Sequence, residues 1–319
     1  MTTWLTDDPA KARLFPEVPI VWSTLERNGE DSRLRYLAAL FNPDRPTWIG
    51  RSRGDDRCMV VIDTARASQM DAATAVWSRG EELPDRLVCL ALTGRNFRGQ
   101  RHRPWQARRG NLHLTASYHI NRPLAELGAA LTMLPVVAAV QAIERIAAPG
   151  IRPRIKWVND VMVDDGKVCG VLTATRVAGA MVERAVFGIG LNIDEAPEID
   201  PSPFVPRAVC LADLDPACRG ALPRMLHAVV AALDAMVEVI RQQGPEPVLR
   251  LYRRHAGFMG EEVLIWPEGT ADWRSTAPSR QGVVTGIGPD LGLLLSDVPT
   301  RPVRAGRMAY AEWARRFPG

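Results

Sequence analysis

The sequence predicts an α+β protein in which a mixed sheet flanked by helices is followed by a small β-barrel. From about residue 58 to residue 245 of this 319-residue chain, β-prone segments alternate with helix-prone segments. Over roughly the last sixty residues, short β-prone segments are broken by Gly and Pro, as is typical of small barrels. Because the chain is long for one ordinary core, we expect an N-terminal extension of unclear fold over residues 1–55, a main domain over 56–255 and the barrel over 256–319.

The main domain divides into elements through its hydrophobic periodicity and its turn residues. SQMDAATAVWSR predicts a helix that begins near Ser68, and LPVVAAVQAIERIA predicts one with Pro135 near its start, where proline is tolerated. Asp164, Asp165 and Gly166 separate two β-prone runs and predict a hairpin. The other patterns predict strands (CMVVID, RLVCLAL, NLHLTASYHI, ERAVFGIGLNI) and a long amphipathic helix (RMLHAVVAALDAMVEVIRQQ).

The composition is that of a globular protein, with 46% apolar and 24% charged residues. The most apolar stretch, residues 131–146, is interrupted by Pro135, Gln141 and Glu144, so we expect no membrane span. The first ten residues, MTTWLTDDPA, do not resemble a secretory signal. Five cysteines without metal-ligand spacing favour reduced thiols. We therefore expect a cytoplasmic protein.

Lysine is rare in this chain, which has three lysines and 37 arginines. Two of them, Lys156 and Lys167, lie in RIKWVNDVMVDDGKVCGVL, residues 154–172. Lysine presents a compact ammonium that can reach a small anion. If RIKWVNDVMV is one continuous strand, Lys156 and Asp160 share a face of it. This hairpin then suits chemistry on phosphate and Mg²⁺, although a structural Lys156–Asp160 ion pair with an exposed Lys167 is an equal alternative.

An arginine loop, GRNFRGQRHRPWQARRG at residues 94–110, supplies the most concentrated positive charge. Six arginines with Phe97 and Trp105 could bind single-stranded RNA through phosphates and stacking. They could equally bind a nucleoside triphosphate, since glycines let the backbone approach phosphate. The third alternative is a solvated, flexible loop. A net charge of +4 is compatible with nucleic acid but does not require it.

Ordered motifs resemble those of the biotin–protein ligase family over roughly residues 58–312. KWVND, KVCGVL and GIGLNID are similar to its Lys-Trp-Pro-Asn-Asp, Lys-x-x-Gly-Ile-Leu and Gly-Ile-Gly-x-Asn segments. The arginine loop and the following GNL resemble its Gly-Arg-Gly-Arg-x-Gly-Arg-x-Trp loop and Gly-Asn-Leu strand, and Ser68 lies where the family has Ser-Thr-Asn. The resemblance implies a ligase core like that of class II aminoacyl-tRNA synthetases, with a C-terminal SH3-like barrel.

The activity that the resemblance implies is a two-step ligation. ATP with Mg²⁺ would convert biotin to biotinyl-AMP, and the acyl group would pass to a lysine of an acceptor carrier domain. By position, Lys167 and Lys156 would be catalytic and Asp160 would hold the metal. The acid would contact Ser68, Gln69, Met70, Ala91, Arg95, Asn96, Phe97, Lys167 and Gly170. The nucleotide would contact Arg95, Arg98, Trp105, Asn111, Asn159 and Asn192.

Departures from the family pattern cluster at the biotin-binding end. Gln69 and Met70 replace Thr and Asn, and Ala91 replaces a glutamine. Asn96 and Phe97 stand where Gly and Arg are usual, Gln100 replaces another Arg, and Val158 replaces a proline. The phosphate-binding end is largely kept. The sequence therefore favours ATP-dependent activation of a carboxylic acid more strongly than it favours biotin as that acid.

Three functions stay open at this point. The first is a biotin ligase, and the second is a ligase that performs the same chemistry on a lipoyl or octanoyl chain. The Gly-Gly-Gly and His-Asp signature of lipoate ligases is absent here. The third is a binding protein, either a non-catalytic ligase relative or an RNA-binding protein. Residues 1–55 lack two periodic helices joined by a short turn, so we expect no helix-turn-helix and no sequence-specific DNA binding. A homodimer is left open.

Overall fold

The computed structural model describes residues 1–16, 19–26, 32–41, 45–270 and 272–317. Its helices are α1 (Pro9–Ala12), α2 (Ser32–Phe41), α3 (Gln69–Ser78), α4 (Leu124–Leu127), α5 (Ala130–Ile146), α6 (Leu211–Leu214), α7 (Leu222–Gln243), α8 (Glu246–His255) and α9 (Ala311–Ala314). Its strands are β1 (Thr2–Thr6), β2 (Ser23–Thr24), β3 (Trp48–Ser52), β4 (Arg57–Ile62), β5 (Leu87–Ala91), β6 (Phe97–Arg98), β7 (Pro104–Trp105), β8 (Leu112–Pro123), β9 (Arg154–Lys156), β10 (Asp160–Val163), β11 (Gly166–Ala178), β12 (Met181–Leu191), β13 (Arg207–Ala208), β14 (Glu262–Trp266), β15 (Arg280–Ile287), β16 (Leu293–Leu295) and β17 (Arg307–Tyr310).

One large mixed sheet organises the main domain, in the order β2-β3-β1-β4-β5-β8-β12-β11-β10-β9, with β13 beside β11. β1, β4 and β5 run parallel to one another, and from β5 through β8 to β9 every neighbouring pair is antiparallel. Helices cover both faces. This arrangement confirms the predicted α+β class with a mixed sheet flanked by helices.

The apolar runs of β4 and β5 follow from burial on both faces of the sheet. Along β4, Met59 and Val61 join the core under α5 and α7, whereas Cys58, Val60 and Ile62 join the core under α2 and α3. A strand with helices on both sides cannot alternate apolar and polar residues, so it reads as a continuous apolar segment. Of the helices in the described ranges, none has the length and apolar character needed to cross a membrane.

The N-terminal region contributes to this sheet. β1 pairs with β4 and β3 pairs with β1, and Trp4 and Leu5 are buried in the two cores. Within the described part of residues 1–55, α1 and α2 are separated by β2. These residues extend the main sheet.

The C-terminal region forms a four-stranded antiparallel sheet in the order β16-β15-β14-β17. Its apolar residues, among them Val263, Val284 and Met308, belong to the same core as α5, α7 and α8. The C-terminal sheet is therefore packed onto the main domain through shared apolar burial.

The KWVND segment differs from the continuous strand that we expected. β9 ends at Lys156 and β10 begins at Asp160, and residues 157–159 form a tight turn that contains a cis peptide between Trp157 and Val158. The prediction of one strand was wrong, because the chain reverses here. Lys156 and Asp160 nevertheless lie side by side, since they are directly opposite each other in the antiparallel pair.

This turn is held by the C-terminal half of the chain. Lys156 Nζ donates to the carbonyl of Met308 at 2.6 Å, and Trp157 Nε1 donates to the carbonyl of Leu291 at 2.8 Å. The Tyr252 hydroxyl in α8 donates to the carbonyl of Val158, also at 2.8 Å. The C-terminal sheet and α8 thus fix the backbone between β9 and β10.

Helix α5 begins at Ala130, so Pro135 lies inside it and the predicted start was placed too late. Proline has no N–H, which leaves the carbonyl of Leu131 without its partner in the helix. In β11, the Thr173 hydroxyl donates to that carbonyl at 3.0 Å. A side chain of the sheet therefore replaces the hydrogen bond that the helix lacks.

Replacing Thr173 tests this substitution of partners. Thr173→Val should lower the free energy of unfolding by about 1 kcal/mol, because it leaves a carbonyl unpaired. In a Pro135→Ala background the restored N–H can bond to Leu131, so the same change should cost much less. Chemical denaturation of the parent, Thr173→Val, Pro135→Ala and the double variant measures both costs. Thr175→Val, at an exposed position, is the control. Equal costs in the two backgrounds would show that the hydroxyl does not compensate for the proline.

The buried ammonium of Lys156 predicts a pH dependence of stability. Burial lowers the pKa of Lys156 from 10.5 to about 8, against the opposing effect of Asp160. Between pH 8 and 10.5 the unfolded chain keeps a proton that the folded protein has lost, so stability rises with pH in this window. Unfolding curves from pH 7 to 10.5 should show the parent gaining up to about 3 kcal/mol relative to Lys156→Met. Parallel pH profiles would contradict a depressed pKa.

Candidate active site

A cavity of about 510 Å³ opens between the arginine loop and strands β11 and β12. The start of α3, strand β8 and the segment of residues 197–205 complete its walls. The predicted site residues that line it are Ser68, Met70, Phe97, Arg98, Trp105, Asn159, Asp160, Lys167, Gly170 and Asn192. The structure therefore brings together residues that are up to 124 positions apart in the sequence.

Glycines form the floor of this cavity. Gly170 and Gly190 are paired across β11 and β12, and Gly188 follows on the same face of β12. A Cβ at Gly190 would lie 2.4 Å from Cζ2 of Trp105, and one at Gly188 would lie 2.8 Å from Sδ of Met70. Larger residues cannot occupy these positions without displacing the side chains that cover the floor.

A β-bulge directs Lys167 into the cavity. The register between β10 and β11 shifts between Val161 and Met162, which leaves Val168 as an extra residue on β11. Without this shift, alternation from Gly170 would turn Lys167 to the opposite face. Instead, Lys167 Nζ lies 2.6 Å from Asp160 Oδ1, and a Cβ on Gly170 would be 3.2 Å from the same Nζ.

The charges around Asp160 stabilise its ionised form. Burial raises the pKa of this carboxyl, but Lys167 and Lys156 together lower it below its ordinary value. Lys156 is 4% exposed and lines a smaller adjoining cavity of about 140 Å³, together with Asp160. Asp160 forms its ion pair with Lys167, whereas Lys156 Nζ donates to the carbonyl of Met308. The alternative of a structural Lys156–Asp160 ion pair with an exposed Lys167 is therefore wrong.

Arg103 and Arg307 line both cavities; Arg103 was predicted only as part of the arginine loop, and Arg307 was not predicted. Arg307 stacks its guanidinium on the ring of Phe204, 3.6 Å from the centroid. Burial, with Arg103 and Arg101 nearby, lowers the pKa of Arg307 to about 10. Arg307 comes from β17, and no sequence pattern links that strand to the hairpin. Arg103 is exposed and Arg307 is half-buried, and neighbouring cations of this kind are suited to bind a polyanion.

The arginine loop is anchored at several points. Arg109 pairs with Asp63 at 2.7 Å, Gln106 Nε2 donates to the carbonyl of Glu198 at 2.9 Å, and Arg101 forms an ion pair with Glu268. Trp105 Nε1 donates to His113 Nδ1 at 3.3 Å. These bonds extend from the loop to three separate parts of the chain, and they argue against the solvated-loop alternative.

The neutral imidazole of His113 provides the acceptor for Trp105. Burial lowers the pKa of His113 to about 4, and the other ring nitrogen lies 2.9 Å from the carbonyl of Arg108. Nε2 therefore carries the proton and Nδ1 accepts. Phe97 packs edge-on against this ring. The wall that covers the cavity therefore consists of three rings in contact, those of Trp105, His113 and Phe97.

Five residues that the resemblance placed in the site lie elsewhere. Ala91 is fully buried in β5, and Asn96 is exposed on the loop with a positive φ of 56°. Gln69 and Arg95 line a separate cavity. The Asn111 carboxamide accepts from the backbone N–H groups of residues 193–195, so it supports the segment after β12. Direct contact of these five residues with a ligand of the main cavity is not supported.

The donor set near Asp160 is compatible with Mg²⁺ bound mainly through phosphates. Among the described residues no group of three His, Cys, Asp or Glu side chains could hold a metal. Asp160 offers one carboxylate, and Asn192 Oδ1 is buried without a hydrogen-bond partner in the described chain. Mg²⁺ in nucleotide sites takes one or two protein oxygens and completes its shell with phosphate and water. Asp160 and Asn192 are the residues that would hold it.

Comparison with known proteins agrees with this geometry. The model of the biotin/lipoate A/B protein ligase family matches residues 67–192. The biotin–[acetyl-CoA-carboxylase] ligase of Paracoccus denitrificans is 33% identical over 214 residues, which are 65% of this chain and 82% of that protein. The bifunctional ligase/repressor BirA of Bacillus subtilis is 35% identical over 101 residues, and this match spans 31% of the chain and 30% of the relative's length.

Among solved structures, the biotin protein ligase from Aquifex aeolicus in complex with biotin and ATP has a similar fold. It superposes with a TM-score of 0.59 at 18% identity, covering 79% of this chain and 97% of that chain. At this identity the likeness concerns the fold. Together with the Paracoccus relative and the cavity residues Lys167, Asp160 and Gly170, it leads to one assignment: this chain belongs to the biotin–protein ligase family.

Proposed function

We propose that this protein is an ATP-dependent ligase that adenylates biotin or a related carboxylic acid and transfers the acyl group to a lysine of an acceptor carrier protein. The observation that carries the proposal is the position of Lys167. Along β11, Leu172, Gly170 and Lys167 line the cavity in succession. The ammonium thus lies beyond an apolar segment and faces the side where Arg103 and Arg307 enter. An acyl-adenylate has the same sequence of parts, namely an apolar chain, an anhydride and a charged phosphate.

In the first step, a carboxylate oxygen of the acid attacks the α-phosphorus of ATP and pyrophosphate leaves. Lys167 stabilises the charge that develops between the acyl and phosphate oxygens, because its ion pair with Asp160 makes it a preorganised donor. Asp160 holds the ammonium in place through the ion pair at 2.6 Å. Arg98, Arg103 and Arg307 bind the phosphates. Bound Mg²⁺ would neutralise part of the negative charge of the phosphates.

In the second step, the acceptor lysine nitrogen attacks the acyl carbon, the bond to AMP breaks and the amine proton is released. The anchored arginine loop covers the anhydride until the acceptor arrives, which limits hydrolysis. Trp105 covers the glycine floor and offers an aromatic face for the adenine. The protein therefore acts by binding, orienting and excluding water.

The acid-binding end favours a more apolar acid as a second candidate substrate. Met70, Phe97 and Leu172 line this end, where the family resemblance implies polar contacts. The hydroxyl groups of Ser68 and Thr115 are the polar groups near them, and Ser68 Oγ already accepts from the Met70 N–H. A ureido ring buried here would leave some of its groups unpaired.

Further features of the protein are part of the same proposal. We propose residues 56–255 as the catalytic unit, completed by strands from residues 1–55, and residues 256–319 as a small domain of SH3-like barrel type. Four antiparallel strands around a shared apolar interior support the latter. A cytoplasmic location and the absence of operator binding remain predictions, and a homodimer is left open.

ATP–pyrophosphate exchange against a panel of carboxylic acids tests the proposed function directly. Exchange that depends on biotin, lipoate, octanoate or another acid establishes activation and identifies the acid. Transfer to a carrier domain with a target lysine then tests the second step. If no acid supports exchange at high enzyme concentration, a non-catalytic ligase-like binding protein becomes the better description.

Exchanging Lys167 for arginine tests its catalytic role. Lys167→Arg keeps the charge, but a planar guanidinium is larger than the ammonium and cannot place a single donor over Gly170. We expect adenylate formation to slow by about 10²–10³-fold with an unchanged melting temperature.

The control for this exchange is Lys11→Arg. Lys11 pairs with Asp8 and Asp63 outside the cavity, so arginine should preserve its role and the rate. An unchanged rate for Lys167→Arg would make this lysine a structural ion-pair partner of Asp160. A lower melting temperature together with the lower rate would point the same way.

Restoring a polar residue at Met70 tests the acid-binding end. Met70→Asn should tighten biotin binding by about tenfold or more, because it supplies hydrogen bonds to the buried ureido ring. Met70→Leu, which keeps the apolar wall, is the matched control. Calorimetric titration with biotin in the presence of a non-hydrolysable ATP analogue measures both affinities. Nanomolar binding of biotin by the parent would contradict an altered pocket.

A further inference from the structure

Phe204 belongs both to the walls of the site and to the apolar interior of the C-terminal sheet. The segment of residues 197–205 forms one wall of the cavity of about 510 Å³, and Phe204 lines the smaller adjoining cavity. Its side chain is nevertheless only 3% exposed. The ring packs edge-on against Trp266 of β14, with the ring centroids 5.3 Å apart, in a small apolar cluster that includes Ala309 of β17. The wall is therefore attached to the C-terminal sheet at this residue.

The guanidinium of Arg307 is held at two points. Its central carbon lies 3.6 Å from the centroid of the Phe204 ring, which fixes the plane of the group. Nη1 donates to the carbonyl of Thr270 at 2.8 Å, which fixes the rotation of the group within that plane. Burial, with the cations Arg103 and Arg101 nearby, lowers the pKa of Arg307, and no carboxylate of the described residues acts against this shift. Arg307 is thus oriented without being neutralised.

An aromatic ring and a carboxylate hold an arginine with different consequences. A carboxylate occupies the N–H edge of the guanidinium and cancels its charge, as Asp290 does for Arg304, whose Nε lies 2.5 Å from Asp290 Oδ2. A ring contacts the flat face of the group, so the N–H edge and the charge stay available for an anion. Arg304 and Arg307 line the same small cavity, but only Arg307 has the aromatic partner. Phe204 therefore orients Arg307 without competing with phosphate for its donors.

The segment that carries Phe204 continues to the strand of Lys167. β13 begins three residues after Phe204, and Ala208 of β13 lies opposite Lys167 of β11. The backbone N–H of Val209 donates to the carbonyl of Lys167 at 3.0 Å. Residues 204–209 thus connect the C-terminal sheet with the strand that carries Lys167. An apolar side chain at position 204 is enough for this connection, whereas the stacking on Arg307 needs the ring.

We propose that Phe204 is a positioning residue, which holds the guanidinium of Arg307 in the orientation that binds the nucleotide phosphates. This inference rests on the proposed function, in which Arg307 is one of the phosphate-binding groups. Phe204 acts on the nucleotide through Arg307. Loss of the ring should therefore weaken nucleotide binding, while Lys167 and Asp160 keep their positions.

Calorimetric titration with ATP tests this role without requiring a reaction. Phe204→Leu keeps an apolar side chain in the cluster but removes the ring face, so it should weaken ATP binding about tenfold. In exchange assays the same variant should raise KM for ATP by a similar factor and leave kcat within about twofold of the parent. Phe204→Tyr keeps the ring face and should restore the affinity of the parent.

A double-mutant cycle with Arg307→Gln separates positioning from general destabilisation. Arg307→Gln should weaken ATP binding at least about tenfold, and adding Phe204→Leu to it should cost no further affinity. Phe15→Leu is the matched control, since Phe15 is 2% exposed and lines neither cavity. It should lower the melting temperature and leave the affinity for ATP unchanged. Additive losses in the cycle, or ATP binding by Phe204→Leu equal to that of the parent, would overturn the role of Phe204.

The role of Phe204 and the ligase function fail in different ways. A parent protein that binds ATP but supports exchange with no acid contradicts the ligase function, and the ATP titrations still decide whether Phe204 orients Arg307. Exchange by the parent together with an unchanged ATP affinity in Phe204→Leu contradicts the role of Phe204 alone.

Discussion

The cavity of about 510 Å³, here called the reaction cavity, depends on one short turn formed by residues 157–159. Groups outside the main sheet hold this turn in place. Lys156 and Trp157 donate to backbone carbonyls of the C-terminal region, and Tyr252 donates to the turn itself. Because the turn sets the pairing of β9 with β10, it also sets the separation of Lys156 from Asp160. Asp160 in turn fixes Lys167. The C-terminal sheet is thus a structural support of the site, and it adds Arg307 to the lining. This arrangement makes the two halves of the chain one functional unit.

The buried Lys156 and the half-buried Arg307 are unfavourable without a counter-charge. Their lowered pKa values, about 8 and about 10, express the free energy needed to keep both groups protonated where contact with water is reduced. Asp160 compensates for part of this charge, although Lys167 is closer to it. A triphosphate would supply the remaining negative charge. In the proposed function, the stability that these cations cost the free protein would be recovered as affinity for a polyanion, as is common where binding sites are preorganised.

The sequence predicted the elements with strong local signals and missed features that arise from tertiary contacts. Ser68 caps α3 as expected, and the hairpin after Asp164 forms where the Asp-Asp-Gly segment predicted it. The bulge at Val168 leaves no local signature, so strict alternation would have pointed Lys167 away from Gly170. The turn after Lys156 and the contribution of Arg307 depend on the C-terminal sheet and could not be read from the hairpin alone. The resemblance named ten of the residues that line the cavity, but it also included Asn111, whose amide serves the backbone.

In the proposed reaction, Lys167 and Asp160 lie on a different element from the side chains that would select the acid. The groups that would act on phosphate and anhydride come from the β10–β11 hairpin and β17, which are braced by the core, and from Arg98 and Arg103 of the arginine loop. The groups that face the acid come from the start of α3 and from the arginine loop, where Met70 and Phe97 cover glycines at positions 188 and 94. Substitution at Met70 or Phe97 changes the shape of one end of the cavity without moving Lys167 or Asp160. In the proposed function, the same chemistry can therefore be kept while the acid changes. This accounts physically for a chain whose proposed phosphate-binding residues follow the family pattern and whose proposed acid-binding residues do not.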